Sequence, residues 1–281
     1  MSSHLQDDEI PKIGSYLSSE RLAAFHAIAG SDRDAIELHQ KVLNVGAALA
    51  PVVALIEIAI RNTVSEKLRT AFGTPDWLRN PPPPFAWGSE QSSAIRTAVK
   101  HAQRAAYAKL SNIDKRALEQ IAYADGIPAG LTHEERVKGR QRAISVGHGQ
   151  VIAQLTLYFW KRLFSEDYEE TLWKRSLKSV FPNKTLSRTQ IADVLETIYQ
   201  ARNRIAHHEP IYDARLTRLL EAIDFTCQNF DVRRPSVDTP LAKLVAPFRE
   251  RLELAIAELT VELDSYRSPV GNDREDPERR S

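Results

Sequence analysis

The sequence predicts an all-α protein, and three observations support this fold class. Apolar residues recur every three or four positions along most of the chain, whereas the apolar–polar alternation of β-strands is scarce. Several of these segments begin at a residue that favours a helix N-cap or end at one that favours a C-cap. Proline and glycine concentrate in a few short stretches, which read as connectors.

Composition limits the classes of protein that remain. The chain has 281 residues, enough for one large domain or two small ones. Its formal net charge is only +1, so any nucleic-acid binding must come from a local basic surface. The single cysteine, Cys227, excludes an intrachain disulfide and a four-cysteine zinc site.

The N-terminal half is expected to form three helices and a connector. Residues 18–29 read as a helix with Ser18 or Ser19 near its N-cap. Residues 35–50 read as a second helix, which Pro51 either kinks or ends. Residues 51–72 are apolar and then polar, with Gly73 as a plausible C-cap. Residues 74–90, with four consecutive prolines, are expected to be an extended connector.

The C-terminal half is expected to be helical between short loops. Residues 124–144 read as a loop region punctuated by glycine and proline. Ser187 is expected to be the N-cap of the helix over 187–207. Residues 1–267 are expected to form a single all-helical domain, and residues 268–281 a disordered polar tail. Helices are predicted over residues 89–110, 112–123, 149–165, 168–182, 187–207, 213–230 and 240–266.

We expect a cytoplasmic protein that does not span a membrane. The N-terminus lacks the basic and apolar regions of a signal peptide. The longest apolar run, residues 45–60, is sixteen residues long and contains Pro51 and Glu57. This run is too short for a membrane span and is better explained as a buried core helix.

The stretch "IYQARNRIAHHEPIYD", residues 198–213, contains the strongest candidate site. Pro210 predicts that the helix ends just before it. In a straight helix Arg202 and His207 differ by about 140° in direction, so they converge only if the helix ends between them. His207 and His208 would then lie at the negative end of the helix dipole. Asn203 adds an amide beside the pair.

These residue types suit phosphate chemistry. A guanidinium binds a phosphate through two hydrogen bonds and stabilises the charge of a phosphorane. A histidine titrating near neutrality exchanges protons with a ribose 2′-hydroxyl or a departing 5′-oxygen. Together they would cleave RNA without a metal ion or another cofactor. The alternative is structural, since histidines near a helix C-terminus commonly cap carbonyl groups.

A second set of polar residues interrupts the apolar helix. Glu57 and Arg61 are four residues apart, in the order that favours an ion pair, and Asn62 follows. One interpretation is a structural pair inside a helical bundle. The other is a supporting role, in which Glu57 orients Arg202 or His207. Glu209 would then support the same residues from the other side.

A local excess of basic residues suggests a place for RNA. Eleven Lys and Arg residues but four Asp and Glu residues lie between Arg136 and Arg188. Salt-sensitive phosphate contacts would follow from such an excess, although solvated helix faces have the same composition. The candidate RNA contacts in the stretch "RVKGRQR" are Arg136, Lys138, Arg140 and Arg142.

Two groups of aromatic residues are expected to differ in exposure. The aromatic residues within 158–164 are closely spaced on one predicted helix and are expected to pack in the core. Trp77 and Trp87 lie beside the prolines of the connector. They are the candidates for an exposed aromatic surface.

Four blocks resemble a known family. They are "LNVGAALAPVVALIEIAIRNTVSEKLRTAFGTPDWL", "GQVIAQLTLYFWKRLF", "LWKRSLKSVFP" and "IYQARNRIAHHEPIYD". Their order and spacing, over about residues 40–225, are similar to those of the Abi-like (abortive infection) proteins of bacteria. Those proteins belong to the wider HEPN group of all-helical bundles. The resemblance implies that His207 is the acid/base, Arg202 the phosphate clamp and Asn203 an orienting group.

The resemblance also implies a function and partners. HEPN proteins with this Arg-polar-x(3–5)-His signature cleave RNA to 2′,3′-cyclic phosphate products, and two facing copies form the site. We therefore expect a homodimeric endoribonuclease of phage defence or of a toxin–antitoxin system, restrained by an antitoxin protein or RNA. His208 would be a second imidazole or a cap. The alternatives are a non-catalytic RNA-binding or sensor protein and a structural interaction module.

Overall fold

The computed structural model describes residues 5–267, and the chain is all-α over this range. It contains helices, turns and loops but no β-strand. The predicted fold class is therefore confirmed, while the expected disordered tail at 268–281 lies outside the described residues. The α-helices are α1 (Ile10–Leu17), α2 (Ser19–Ala29), α3 (Asp32–Phe72), α4 (Ser89–Ala108), α5 (Asn112–Ala122), α6 (His133–Arg142), α7 (His148–Ile152), α8 (Leu157–Arg162), α9 (Arg188–Ala206), α10 (Asp213–Asn229) and α11 (Pro240–Arg267).

The helices form two compact units. The first unit takes its described residues from Met1–Leu55, Gln200–Ile223 and Ala242–Ser281. The second comprises Ile56–Tyr199 and Asp224–Leu241. Each division falls inside a helix, so α3, α9, α10 and α11 contribute residues to both units.

The first unit is built on a well-capped helical core. The side chain of Ser18 accepts a hydrogen bond from the Arg21 backbone nitrogen, which makes Ser18 the N-cap of α2. Phe25 of α2 is buried, and so are Ile36 and Leu49 of α3. Burying side chains of this size contributes about 1.5–3 kcal/mol each. Lys41 of α3 forms an ion pair with Glu258 of α11, 3.0 Å long.

The longest helix, α3, runs through Pro51 and ends at the predicted glycine. Gly73 has φ 65°, and its nitrogen donates to the Arg69 carbonyl. By length and composition α3 could cross a membrane, a test that core helices of soluble proteins also pass. Its side chains are buried at spacings of three and four. This repeat is the one-sided burial expected of a core helix, and it includes Val42, Val45, Leu49, Val52, Ile56 and Ile60.

An aromatic cluster anchors the proline-rich connector of the second unit. The indole of Trp87 lies 5.9 Å from that of Trp77 and 4.8 Å from the Phe85 ring, between centroids. Trp77 is fully buried, and Trp87 is partly buried. The expectation that Trp77 is exposed was wrong, because the connector folds its aromatic side chains inward. The expected burial of the 158–164 aromatics is confirmed for Phe159, Trp160 and Phe164.

Residues 124–144 include a helix where a loop was expected. Thr132 accepts from the backbone of Glu135, and the Glu135 carboxylate accepts from the backbone of Thr132. This capping box starts α6 despite the glycines and proline before it. The signal Thr-x-x-Glu was present in the sequence and is sufficient to explain the helix.

Two predicted helices are broken into shorter pieces. Residues 149–165 form α7 and α8, separated by turns with bonds between residues three apart. Residues 166–179 form 3₁₀ and π turns rather than an α-helix. A contact distant in sequence accompanies this break, because the Ser176 hydroxyl donates to the Lys67 carbonyl at 3.2 Å.

Helix α9 begins where the sequence predicted. The Ser187 hydroxyl accepts from the Gln190 nitrogen, and the Gln190 side chain accepts from the Ser187 nitrogen. Ile191, Leu195 and Ile198 are fully buried. This apolar stripe fixes the rotation of the part of α9 that belongs to the second unit.

Candidate functional site

The C-terminus of α9 closes through its own backbone. The Glu209 nitrogen donates to the Arg204 carbonyl at 2.8 Å, and the His208 nitrogen donates to the Ile205 carbonyl at 3.2 Å. His208 has φ 54°, so it occupies the left-handed position of a Schellman motif. The helix ends at Ala206, between Arg202 and His207, as the position of Pro210 predicted.

Two further side chains reinforce this terminus. An Arg21 guanidinium nitrogen donates to the His208 carbonyl at 2.7 Å. The Glu209 carboxylate binds Arg204 at 3.1 Å, so it does not take the expected place beside Arg202 or His207. The reason is local, because the same motif already joins the Glu209 nitrogen to the Arg204 carbonyl. Arg21 is 187 residues from His208, and no sequence signal links them.

The three residues of the candidate site lie at the end of α9 in the first unit. The His207 nitrogen donates to the Asn203 carbonyl at 3.0 Å, the last helical hydrogen bond. Four residues leave about 40° of rotation between them, so Asn203 lies one turn below His207 on the same side. Arg202 and Asn203 are half-buried, while His207 is exposed.

The imidazole of His207 caps no carbonyl group of the described residues. Among the residues that the structure describes, its ring nitrogens have no hydrogen-bond partner, and the ring of His208 has none either. The carbonyl groups of Asn203, Arg204 and Ile205 are bonded by backbone nitrogens, and that of His208 by Arg21. The capping alternative for His207 and His208 therefore finds no contact here, apart from the backbone role of His208.

The second set of polar residues lies in the second unit. Glu57 and Arg61 are half-buried and Asn62 is exposed. The ion pair expected between Glu57 and Arg61 does not form; within the described range the buried Nε of Arg61 has no partner. Arg61 instead lines a cleft of about 200 Å³ between α3 and α7, together with Asn62 and Gly149. The orienting role of Glu57 stays a prediction.

The basic residues of α6 are mostly engaged within the protein. Arg136 and Arg140 both bind the carboxylate of Glu119 in α5. The hydrogen bond from Arg136 lowers the pKa of Glu119 below its usual value. Lys138 forms an exposed ion pair with Glu134 at 2.7 Å. Arg142 is exposed, and its side chain has no ion-pair partner among the described residues.

The wider basic segment is largely neutralised as well. Seven of its eleven cations form ion pairs with carboxylates of the second unit. These seven are Arg136, Lys138, Arg140, Lys161, Arg162, Lys174 and Arg188. The local excess in the sequence therefore overstates the charge that this segment offers to a ligand.

Metal-ligand geometry and comparison with known proteins add no further assignment. Within residues 5–267, no three His, Cys, Asp or Glu side chains are grouped as ligands for a metal ion. Comparison with models of protein families, with curated proteins and with solved structures found no match.

Proposed function

We propose that this chain is a metal-independent endoribonuclease of the Abi-like class, acting through Arg202, Asn203 and His207. The proposal combines the sequence resemblance with the geometry at the end of α9. The observation that carries it is the exposed imidazole of His207, which no described residue binds. It stands one turn from Asn203, at a helix terminus where the carbonyls of Arg204, Ile205 and His208 are bonded by other groups.

The reaction assigned to these groups is an internal transesterification. Neutral His207 takes the proton of the ribose 2′-hydroxyl, and the 2′-oxygen attacks the adjacent phosphorus. The bond from phosphorus to the 5′-oxygen breaks, and that oxygen receives a proton from an imidazolium. The Arg202 guanidinium stabilises the phosphorane. The products are a 2′,3′-cyclic phosphate and a 5′-hydroxyl.

The resemblance implies a second copy of the chain. One imidazole acts as the base and another as the acid, and two facing α9 termini would supply both. His208 is the alternative source of the second imidazole. A cytoplasmic homodimer that cleaves RNA needs restraint, so the proposal includes an antitoxin protein or RNA and a role in phage defence or growth arrest.

The test compares cleavage of cellular RNA by wild type, Arg202→Ala and His207→Ala. The matched controls are Arg104→Ala and His133→Ala, which remove exposed residues of α4 and α6. We expect wild type and both controls to give fragments with cyclic phosphate ends, with and without a chelator. We expect His207→Ala to lose at least about 100-fold in rate, as for other general acid–base groups. Arg202→Ala should also lose at least about 100-fold, because it removes a group that stabilises the charge of the phosphorane.

The same variants separate the alternatives when they are induced in a bacterial host, with and without phage. Growth arrest and RNA fragments that need both Arg202 and His207 support the nuclease. RNA binding that survives His207→Ala, without any cleavage product, indicates a sensor. If wild type and both site variants arrest growth equally, the α9 terminus is not the source of toxicity and the proposal is wrong.

A further inference from the structure

A cationic cleft lies in the second unit, between α4, the end of α6 and the proline-rich connector. Its volume is about 520 Å³, within the usual range for small-molecule sites. Four of its residues carry a positive charge, and none of its lining residues in the described chain is acidic. These cations are Arg79, Arg96, Lys100 and Arg142.

One face of α4 forms the long wall. Ser92, Arg96, Val99, Lys100 and Gln103 recur at spacings of three and four, so their side chains lie along one side of the helix. This spacing was available from the sequence, but the residues that complete the cleft come from other elements.

The floor of the cleft is apolar and fixed in place. The indole nitrogen of Trp87 donates to the Leu78 carbonyl at 2.9 Å, and both residues line the cleft. The Trp87 ring is also packed against Phe85 and Phe159. A partly buried indole held by a hydrogen bond and by ring contacts is a suitable surface for stacking a planar ring.

The position of the cationic rim is also fixed. The Gln103 amide donates to the carbonyls of Arg142, at 3.2 Å, and Ile144, at 3.1 Å, which joins α4 to the end of α6. Arg79 is oriented by Asp76, at 2.7 Å, and by the Val146 carbonyl, at 3.1 Å. The ends of the cleft are therefore connected by hydrogen bonds.

Three of the four cations have no ion-pair partner among the described residues. Arg96, Lys100 and Arg142 are exposed, and no described residue forms an ion pair with them. Arg96 and Lys100 are four residues apart in α4, where like charges repel by about 0.2–0.5 kcal/mol. This arrangement differs from the basic segment 136–188, where most cations are paired. An anion in the cleft would compensate the repulsion.

We propose that this cleft binds a nucleotide. Arg96, Lys100 and Arg142 would hold the phosphate, and the base would lie against Trp87 and Leu78. The shared chemistry is a phosphate joined to a planar base, which a free nucleotide or a nucleotide unit of a single strand can supply. The proposal does not rest on the nuclease assignment, because its residues all belong to the second unit and its test measures binding.

The experiment is calorimetric titration of the full chain with AMP, ATP, adenosine and a short oligothymidylate. Oligothymidylate lacks the 2′-hydroxyl, so the proposed nuclease chemistry cannot consume it. Arg96→Gln/Lys100→Gln is the test variant. Arg104→Gln/Lys109→Gln is the matched control, because it removes the same two charges from exposed positions outside the cleft. Quenching of tryptophan fluorescence, repeated in Trp87→Phe, reports contact with the floor.

We expect the test variant to weaken nucleotide binding about tenfold or more, and the control variant less than about twofold. Binding of AMP or ATP identifies a free nucleotide as the source, and binding of oligothymidylate alone identifies a strand. Adenosine should bind much more weakly than AMP, and Trp87→Phe should lose most of the quenching. Equal losses in both double variants, equal binding of adenosine and AMP, or no binding of any probe would overturn the proposal.

Discussion

At the scale of single residues, His207 has an exposed side chain at the C-terminus of α9, where the backbone is closed by hydrogen bonds. Since its ring has no hydrogen-bond partner within the described chain, His207→Ala should change the free energy of unfolding by less than about 0.5 kcal/mol. Urea unfolding followed by circular dichroism measures this change. A capping histidine would lose about 0.5–2 kcal/mol instead, so a loss of more than about 1 kcal/mol supports the structural interpretation.

The neighbouring residue, His208, is strained by its backbone. Its φ of 54° lies in the left-handed region, which costs a non-glycine residue about 1–2 kcal/mol. His208→Gly relieves this strain but gives the unfolded chain more freedom, so we expect a net stabilisation of about 0.5–1 kcal/mol. His207→Gly is the control and should not stabilise, because His207 lacks a positive φ. A destabilised His208→Gly would mean that the imidazole contributes more than the backbone strain costs.

At the scale of elements, α5 and α6 meet at a glycine. A Cβ built on Gly139 of α6 would lie 2.1 Å from the Tyr123 hydroxyl oxygen, so the tyrosine occupies the space of a side chain. Gly139→Ala should therefore destabilise by about 1–3 kcal/mol. In a Tyr123→Ala background the same change should stabilise by about 0.5–1 kcal/mol, because alanine is the better helix former. Thermal melts of wild type, the two single variants and the double variant give the change in stability caused by Gly139→Ala in each background. A change of the same sign in both backgrounds would rule out the packing explanation.

The elements also show which features a sequence can predict. Local signals were reliable: Gly73 ends α3, Ser187 starts α9 and Pro210 follows the end of α9. The missed features depend on partners distant in the chain. Trp77 is buried by aromatic residues of several elements, and the turns at 166–179 accompany a bond from Ser176 to α3.

The candidate site follows the same division. The place where α9 ends was predictable from Pro210, because its effect on the backbone is local. The hydrogen bond from Arg21 to the His208 carbonyl was not predictable. Neither were the ion pairs that Arg136 and Arg140 form with Glu119. Counting basic residues in a segment cannot reveal which of them already have a partner.

At the scale of the whole molecule, each unit contains a buried or half-buried histidine that should make stability depend on pH. His39 is 4% exposed in the first unit, and burial, with a smaller effect of the Arg21 charge, lowers its pKa. His148 is half-buried in the second unit, and burial again lowers the pKa, although Asp76 opposes the shift. Both histidines are therefore neutral in the folded chain at neutral pH.

Proton linkage gives the direction in which stability changes with pH. The unfolded chain takes up a proton at each histidine as the pH falls through about 6.5, while the folded chain does so only at lower pH. The contribution of each histidine to the free energy of unfolding is therefore fully present above about pH 6.5. Below that pH it declines by up to about 1.4 kcal/mol per pH unit. The carboxylates with lowered pKa values contribute only at lower pH, since their ordinary value is 4.5.

All four tryptophans, Trp77, Trp87, Trp160 and Trp173, lie in the second unit, whereas helices belong to both units. Unfolding is therefore followed both by tryptophan fluorescence and by circular dichroism. We expect His148→Gln and His39→Gln each to reduce the loss of stability between pH 7 and 5. The exposed His101→Gln should keep the full pH dependence. If His39→Gln and His148→Gln both retain the slope of wild type, other groups must titrate in this range, and the burial of these imidazoles is not what sets it.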